Sequence, residues 1–157
     1  MQEFTAQVTT LKDVVGQTYY GISVPVEVIK PYLETLQKIE PEHELYMRNQ
    51  QERDGGKYHI TIIPVMEVGQ IMNKFGVEKA ADGLEALTSL RVPITLKGIG
   101  TGENKGSKAY FIVVESTILN NYRNGLGLPD RDLHVTIGFN PKDVFGVSKK
   151  EVMWRVD

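Results

Sequence analysis

Two short runs constrain what this 157-residue chain can fold into more than anything else in it. KYHITII (57–63) and DLHVTIGF (132–139) each set a His-x-Thr tripeptide inside an apolar, β-branched segment. In a strand, residues i and i+2 project from one face, so His59 and Thr61 point together. Tyr58, Ile60 and Ile62 then point the other way, and Leu133, Val135 and Ile137 oppose His134 and Thr136 in the same manner. Each run is therefore a half-buried strand with a two-residue polar unit on its open side. The fold must supply a core behind both strands.

Two such units facing one another could carry out phosphodiester chemistry. One neutral imidazole can take a proton from an attacking water or ribose hydroxyl, and a protonated one can give a proton to the departing oxygen. The two threonine hydroxyls can donate to non-bridging phosphate oxygens, where negative charge sits in the transition state. A single H-x-T means little, because the chain has eleven threonines. Two of three histidines with Thr at +2 would arise by chance about once or twice in a hundred, so the pair carries the reading. The plainer alternative is two half-buried strand histidines satisfied by neighbouring hydroxyls.

The rest of the chain reads as α+β. YYGISVP (19–25) is a strand, and the apolar spacing after it predicts a helix from about Lys30, with Pro31 in its first turn, to Ile39. ELYMRNQ and GKYHITII, around QERDGG, read as a hairpin. A helix is expected within 77–90, then strands 91–100 and 108–116 joined by TGENKGS, and a helix TILNNYRNG ending at Gly125. After LHVTIGF, EVMWRV reads as a last strand. Strand, helix and His-x-Thr strand thus occur twice, as a structural echo without further sequence identity. Length predicts one domain over 1–157.

The paired motifs resemble the signature of the two-histidine (2H) phosphoesterase superfamily, which carries two H-x-[ST] motifs in duplicated αβ lobes. The likeness covers residue 5 or so to the C-terminus. The surroundings of the second motif, DLHVTIGFNPKDVFGVSK, are similar to the LigT-like branch of RNA-repair proteins and to phage-type cyclic nucleotide phosphodiesterases. The resemblance implies a bilobal, duplicated fold of two antiparallel sheets flanked by helices around a central groove, with both motifs on its floor. It also implies a hydrolase that needs no metal or cofactor and acts on 2′,3′-cyclic phosphates, 2′–5′ linkages or related cyclic nucleotide phosphodiesters. His59 and His134 would be the catalytic pair, with Thr61 and Thr136 holding the phosphate of a nucleotide or RNA-end substrate, as in RNA processing. Which histidine is acid and which is base stays open at this stage, and a non-catalytic module that binds a nucleotide or RNA end in the same groove is the alternative.

Further candidates are weaker. Lys105 and Lys108, in the glycine-rich loop GIGTGENKGSK, could close over an anion, although a flexible turn with solvated lysines explains them as well. Tyr20 (or its neighbour Tyr19) and Trp154, the single tryptophan, could stack on a base, against the plainer reading of core aromatics. Asp132 could orient His134, and His59, His134 and Asp132 could in principle form a metal site. Threonine is a poor ligand, however, and its repetition fits phosphate contact better. His43 lacks a matching threonine and is expected to be exposed. The absence of cysteine excludes disulfides and thiolate metal sites. The net charge of −2 gives no general pull toward nucleic acid or an anionic membrane. No apolar run is long enough for a membrane span, and MQEFTAQVTT lacks a signal-peptide pattern. The expected location is the cytoplasm, or the host cytoplasm for a phage-encoded chain.

Overall fold

The two His-x-Thr strands are both edge strands, and the fold is built so that these edges meet. The computed structural model describes residues 1–156. Chain order runs β1 (Gln2–Gln7), β2 (Thr9–Lys12), β3 (Thr18–Val24), α1 (Val26–Ile39), α2 (His43–Asp54), β4 (Tyr58–Ile63), α3 (Val65–Phe75), α4 (Val77–Thr88), β5 (Arg91–Asn104), β6 (Ser107–Glu115), α5 (Thr117–Gly125) and β7 (His134–Asn140). One sheet has the order β2-β3-β4, the other β1-β5-β6-β7, and all pairings are antiparallel. This is an α+β fold of two antiparallel sheets with five helices among the described residues. No helix among them is long and apolar enough to cross a membrane.

The alternation expected for the motif strands is present. Tyr58, Ile60 and Ile62 are buried on β4, as are Leu133, Val135 and Ile137 around β7, and all join one apolar cluster drawn from both sheets. Each motif strand also carries a bulge at the same place. Tyr20 pairs with Ile63 and Gly21 with Thr61, which leaves Ile62 over; Tyr110 pairs with Gly138 and Phe111 with Thr136, which leaves Ile137 over. In both strands the extra residue directly follows the motif threonine, and a bulge there bends the strand and re-aims its side chains. The echo noticed in the sequence thus extends to backbone irregularity.

Helices reach across the halves. α2 lies along β7, where Asn49 Nδ2 donates to the Phe139 carbonyl at 2.9 Å. Gly138 makes this approach possible, because a Cβ there would sit 3.0 Å from that of Tyr46. From the later half, α5 sends Arg123 back to β4, where Nη1 donates to the Ile62 carbonyl at the bulge (2.8 Å). Arg123 is fully buried, and Glu67 of α3 neutralises it through contacts of 2.5 and 3.1 Å.

Several sequence expectations are corrected here. ELYMRNQ is no hairpin strand; it forms most of α2, which ends at Gly55 in the left-handed conformation. That helix buries only Tyr46 and Gln50, so it has no apolar stripe to announce it. α1 begins four residues earlier than expected, at Val26, with Pro31 inside it. Pro31 has no N–H to donate to the Glu27 carbonyl, a single lost bond that the packed helix tolerates. EVMWRV makes an isolated bridge between Trp154 and Ile99, short of a strand.

Candidate active site

The edges of β4 and β7 border a cleft of about 650 Å³, and His59, Thr61, His134 and Thr136 all line it. His134 Nδ1 lies 2.7 Å from the backbone carbonyl of Asp132. A carbonyl can only accept, so Nδ1 carries the hydrogen and the neutral ring keeps its free lone pair on Nε2. Phe111 packs edge-on against this ring at 5.8 Å. Burial pushes the His134 pKa down to about 4; the cations Lys149 and Arg131 add to that, against the Asp132 carbonyl and Asp143. The His134 ring is thus kept neutral in the free protein at pH 7.

His59 has a different setting. Tyr19 packs edge-on against it at 5.8 Å. Its pKa is also lowered, mainly by burial and further by Arg53, but the Asp54 and Asp143 carboxylates act in the opposite direction. Asp54 and Asp143 thus favour the protonated form of His59, against the burial that disfavours it.

Thr136 is 8% exposed, and its hydroxyl donates to Asp143 Oδ2 at 3.3 Å. The same oxygen accepts from Arg53 Nη1 at 2.5 Å, while Asp143 Oδ1 accepts from the Val144 N–H. Arg53 also grips Asp54 with Nε and Nη2 at 2.8 and 2.9 Å. Burial opposes its charge, but the bonds to Asp54 and Asp143 prevail, and its pKa is raised. A hydroxyl has one proton, so Thr136 can donate to a phosphate oxygen only by turning that proton away from Asp143.

Asp132 holds His134, but through its main chain. Its carboxylate faces elsewhere, accepting from the Lys149 N–H at 2.9 Å and lying 3.6 Å from Lys150 Nζ. Among the described residues no three of His, Cys, Asp and Glu are grouped so as to hold a metal ion, which removes the geometry that a site of His59, His134 and Asp132 would need.

The remaining candidates do not line the cleft. Tyr20 packs against the core, and Tyr19 lines the cleft in its place. Trp154 also packs against the core, 5.9 Å from the Tyr110 ring. Lys108 Nζ lies 3.9 Å from Glu40 and 5.0 Å from the Tyr110 ring centre. Lys105 sits exposed in the turn between β5 and β6. His43 Nδ1 contacts the Glu40 carbonyl at 3.0 Å, at the start of α2. Conversely, Arg53, Arg131 and Asp143 line the cleft although the sequence reading missed them. They lie in a polar helix and in loops, where nothing local distinguishes them from surface charge.

Two antiparallel sheets meeting at a cleft, with a His-x-Thr strand on each side, define the class of protein this is. Residues 19–145 match the family model 2H-SAK, described as the Swiss Army Knife, 2H phosphoesterase domain. The chain belongs to this family of 2H phosphoesterases, whose chemistry is phosphodiester hydrolysis in general. Neither a curated protein nor a solved structure matches it.

Proposed function

We propose that the chain is a phosphodiesterase that uses protein side chains alone, without a metal, on a cyclic or 2′–5′-type phosphodiester of a nucleotide, a cyclic oligonucleotide or an RNA end. The observation that carries this reading is the shared cleft of the two His-x-Thr units, with the Nε2 lone pair of His134 left free by the Nδ1 bond. His134 acts as the base. Its Nε2 removes a proton from water or from a ribose hydroxyl as the new P–O bond forms. His59, protonated, gives its proton to the departing ester oxygen as the old P–O bond breaks. Water as nucleophile leaves a phosphomonoester; a ribose hydroxyl leaves a cyclic phosphate. Thr61 and Thr136 donate to the non-bridging oxygens. A bound phosphodiester, being anionic, raises the pKa of both imidazoles and so favours the charged form of His59 that the step requires.

The test is a turnover panel with EDTA present. Purified protein, His59→Ala and His134→Ala are offered 2′,3′-cyclic nucleotides, 2′–5′ oligoadenylate and cyclic dinucleotides. Turnover by the wild type that falls ~10²–10⁴-fold in each variant is expected. Turnover that survives both substitutions would sink the mechanism, and activity abolished by EDTA and restored by a divalent ion would replace it with a metal mechanism. Binding without turnover across the panel would instead favour a nucleotide-binding module.

A further inference from the structure

Of the three arginines around the motif strands, two are neutralised. Arg123 is held by Glu67 and Arg53 by Asp54 and Asp143. Arg131 is different. It lies in the turn before β7, lines the cleft, and forms no ion pair among the described residues. Burial lowers its pKa, whereas that of Arg53 is raised by its partners. Glu67 and Asp132 lie near enough to favour its charge, but neither closes an ion pair with it, and a largely buried guanidinium with no carboxylate in contact is costly to keep unless something anionic visits it.

Its placement is firm. The Arg131 N–H donates to Asn120 Oδ1 at 2.8 Å, and its carbonyl accepts from Asn120 Nδ2 at 3.2 Å, so α5 clamps the backbone on both sides. The side chain then crosses from the β7 side to β4, where Nε donates to the Thr61 carbonyl at 3.2 Å. Backbone and Nε are thereby fixed between the two motif strands, and among the described residues Nη1 and Nη2 have no hydrogen-bond partner, which leaves their donors for a ligand. A pre-placed planar fork suits two oxygens of one phosphate.

We propose that Arg131 is a third phosphate contact of the cleft, binding non-bridging oxygens of the substrate through Nη1 and Nη2 while Nε holds it to β4. The proposal rests on the phosphoesterase reading, but its binding arm is separate from turnover. The rival role is structural, a tie between β4 and the turn before β7. Gln at this position could keep a donor near the Thr61 carbonyl without the charge, and Lys could keep the charge without the fork.

The experiment compares wild type, Arg131→Met, Arg131→Gln and Arg131→Lys. Inorganic phosphate and 2′-AMP are titrated against each, followed by the imidazole NMR signals of His59 and His134. Melting temperature and kcat/KM on a panel diester are measured alongside. Loss of the charge should weaken phosphate binding by about tenfold or more and lower kcat/KM ~10²–10³-fold, with Lys between. Melting temperatures should stay within a few degrees of wild type or rise, because a costly unpaired charge has been removed. Phosphate affinity unchanged in folded Arg131→Gln would overturn the proposal, as would a wild type that binds no phosphate. If Arg131→Met fails to fold, the Gln and Lys variants decide. A wild type that binds phosphate through Arg131 yet turns over no diester keeps this inference and ends the phosphoesterase reading. Turnover left intact by Arg131→Gln does the reverse.

Discussion

Acid should destabilise this protein through His134, by an amount that can be worked out. In the unfolded chain the imidazole titrates near 6.5, and in the folded cleft at about 4. As the pH falls, the unfolded chain takes up the proton first. The stability gained by keeping His134 neutral is therefore complete above about 6.5 and drains away as the pH falls toward 4. At 1.36 kcal/mol per unit, the loss is about 2 kcal/mol at pH 5 and about 3 kcal/mol at pH 4. Against a domain stability of ~5–15 kcal/mol that is a large share. The assay is urea unfolding at pH 7, 5 and 4, followed by fluorescence of Trp154, the only tryptophan. His134→Asn is the reference, since its amide can still donate to the Asp132 carbonyl but does not titrate. His59 contributes equally to both proteins and cancels in the difference. A wild-type-minus-variant stability that stays flat from pH 7 to 4, within ~0.5 kcal/mol, would refute the assignment of a buried neutral base.

The division of roles predicts a leaving-group effect: on a p-nitrophenyl phosphodiester, whose leaving group needs no proton, His59→Ala should stay within about tenfold of wild type, while His134→Ala keeps its full loss of ~10²–10⁴-fold. Rescue of His134→Ala instead would exchange the roles. Because both imidazole pKa values lie below the ordinary 6.5, kcat/KM should peak on the acid side of that value; a maximum above pH 7 would contradict it. Glu67→Gln breaks the ion pair of the buried Arg123 behind the β4 bulge and should cost about 3–5 kcal/mol in urea melts. Gly21→Ala should destabilise by more than ~2 kcal/mol, because its methyl would run into the Ile60 carbonyl and Leu11; an unchanged melting temperature would show that β3 can shift away at little cost.

The parts of the fold that could be read in advance are those whose residues repeat a period. His59 and His134 were legible because a strand's twofold alternation separates their face from the isoleucines and valines behind. α4 was legible from apolar spacing, α5 from the glycine at its end, and β5 with β6 from the glycine-containing turn between them. α2 was not, because its order comes from Asn49 on Phe139, Gln50 on Lys57 and Arg53 on Asp143, all tertiary contacts made by polar side chains. β1 is an edge strand with one buried residue, Ala6, so QEFTAQ carries little pattern. The same holds for the cleft. Its two histidines announce themselves as a pair, whereas Arg53, Arg131 and Asp143 acquire meaning only when β4 and β7 are brought side by side.

The crossing of helices and strands between the halves also sets a timetable. β1 finds its partner β5 some ninety residues later, and Asn49 and Arg53 of α2 find theirs in Phe139 and Asp143 at a similar distance. At ~5–20 residues per second on a ribosome, ninety residues is roughly 5–18 s of waiting. During that interval the β2-β3-β4 sheet can form locally, but β1 has no ladder and the polar α2 has no surface to order it. His59 is then already in place on an unfinished edge. The strand that brings His134 is the last of the described strands to emerge, so the two His-x-Thr units cannot face each other until β7 has left the ribosome.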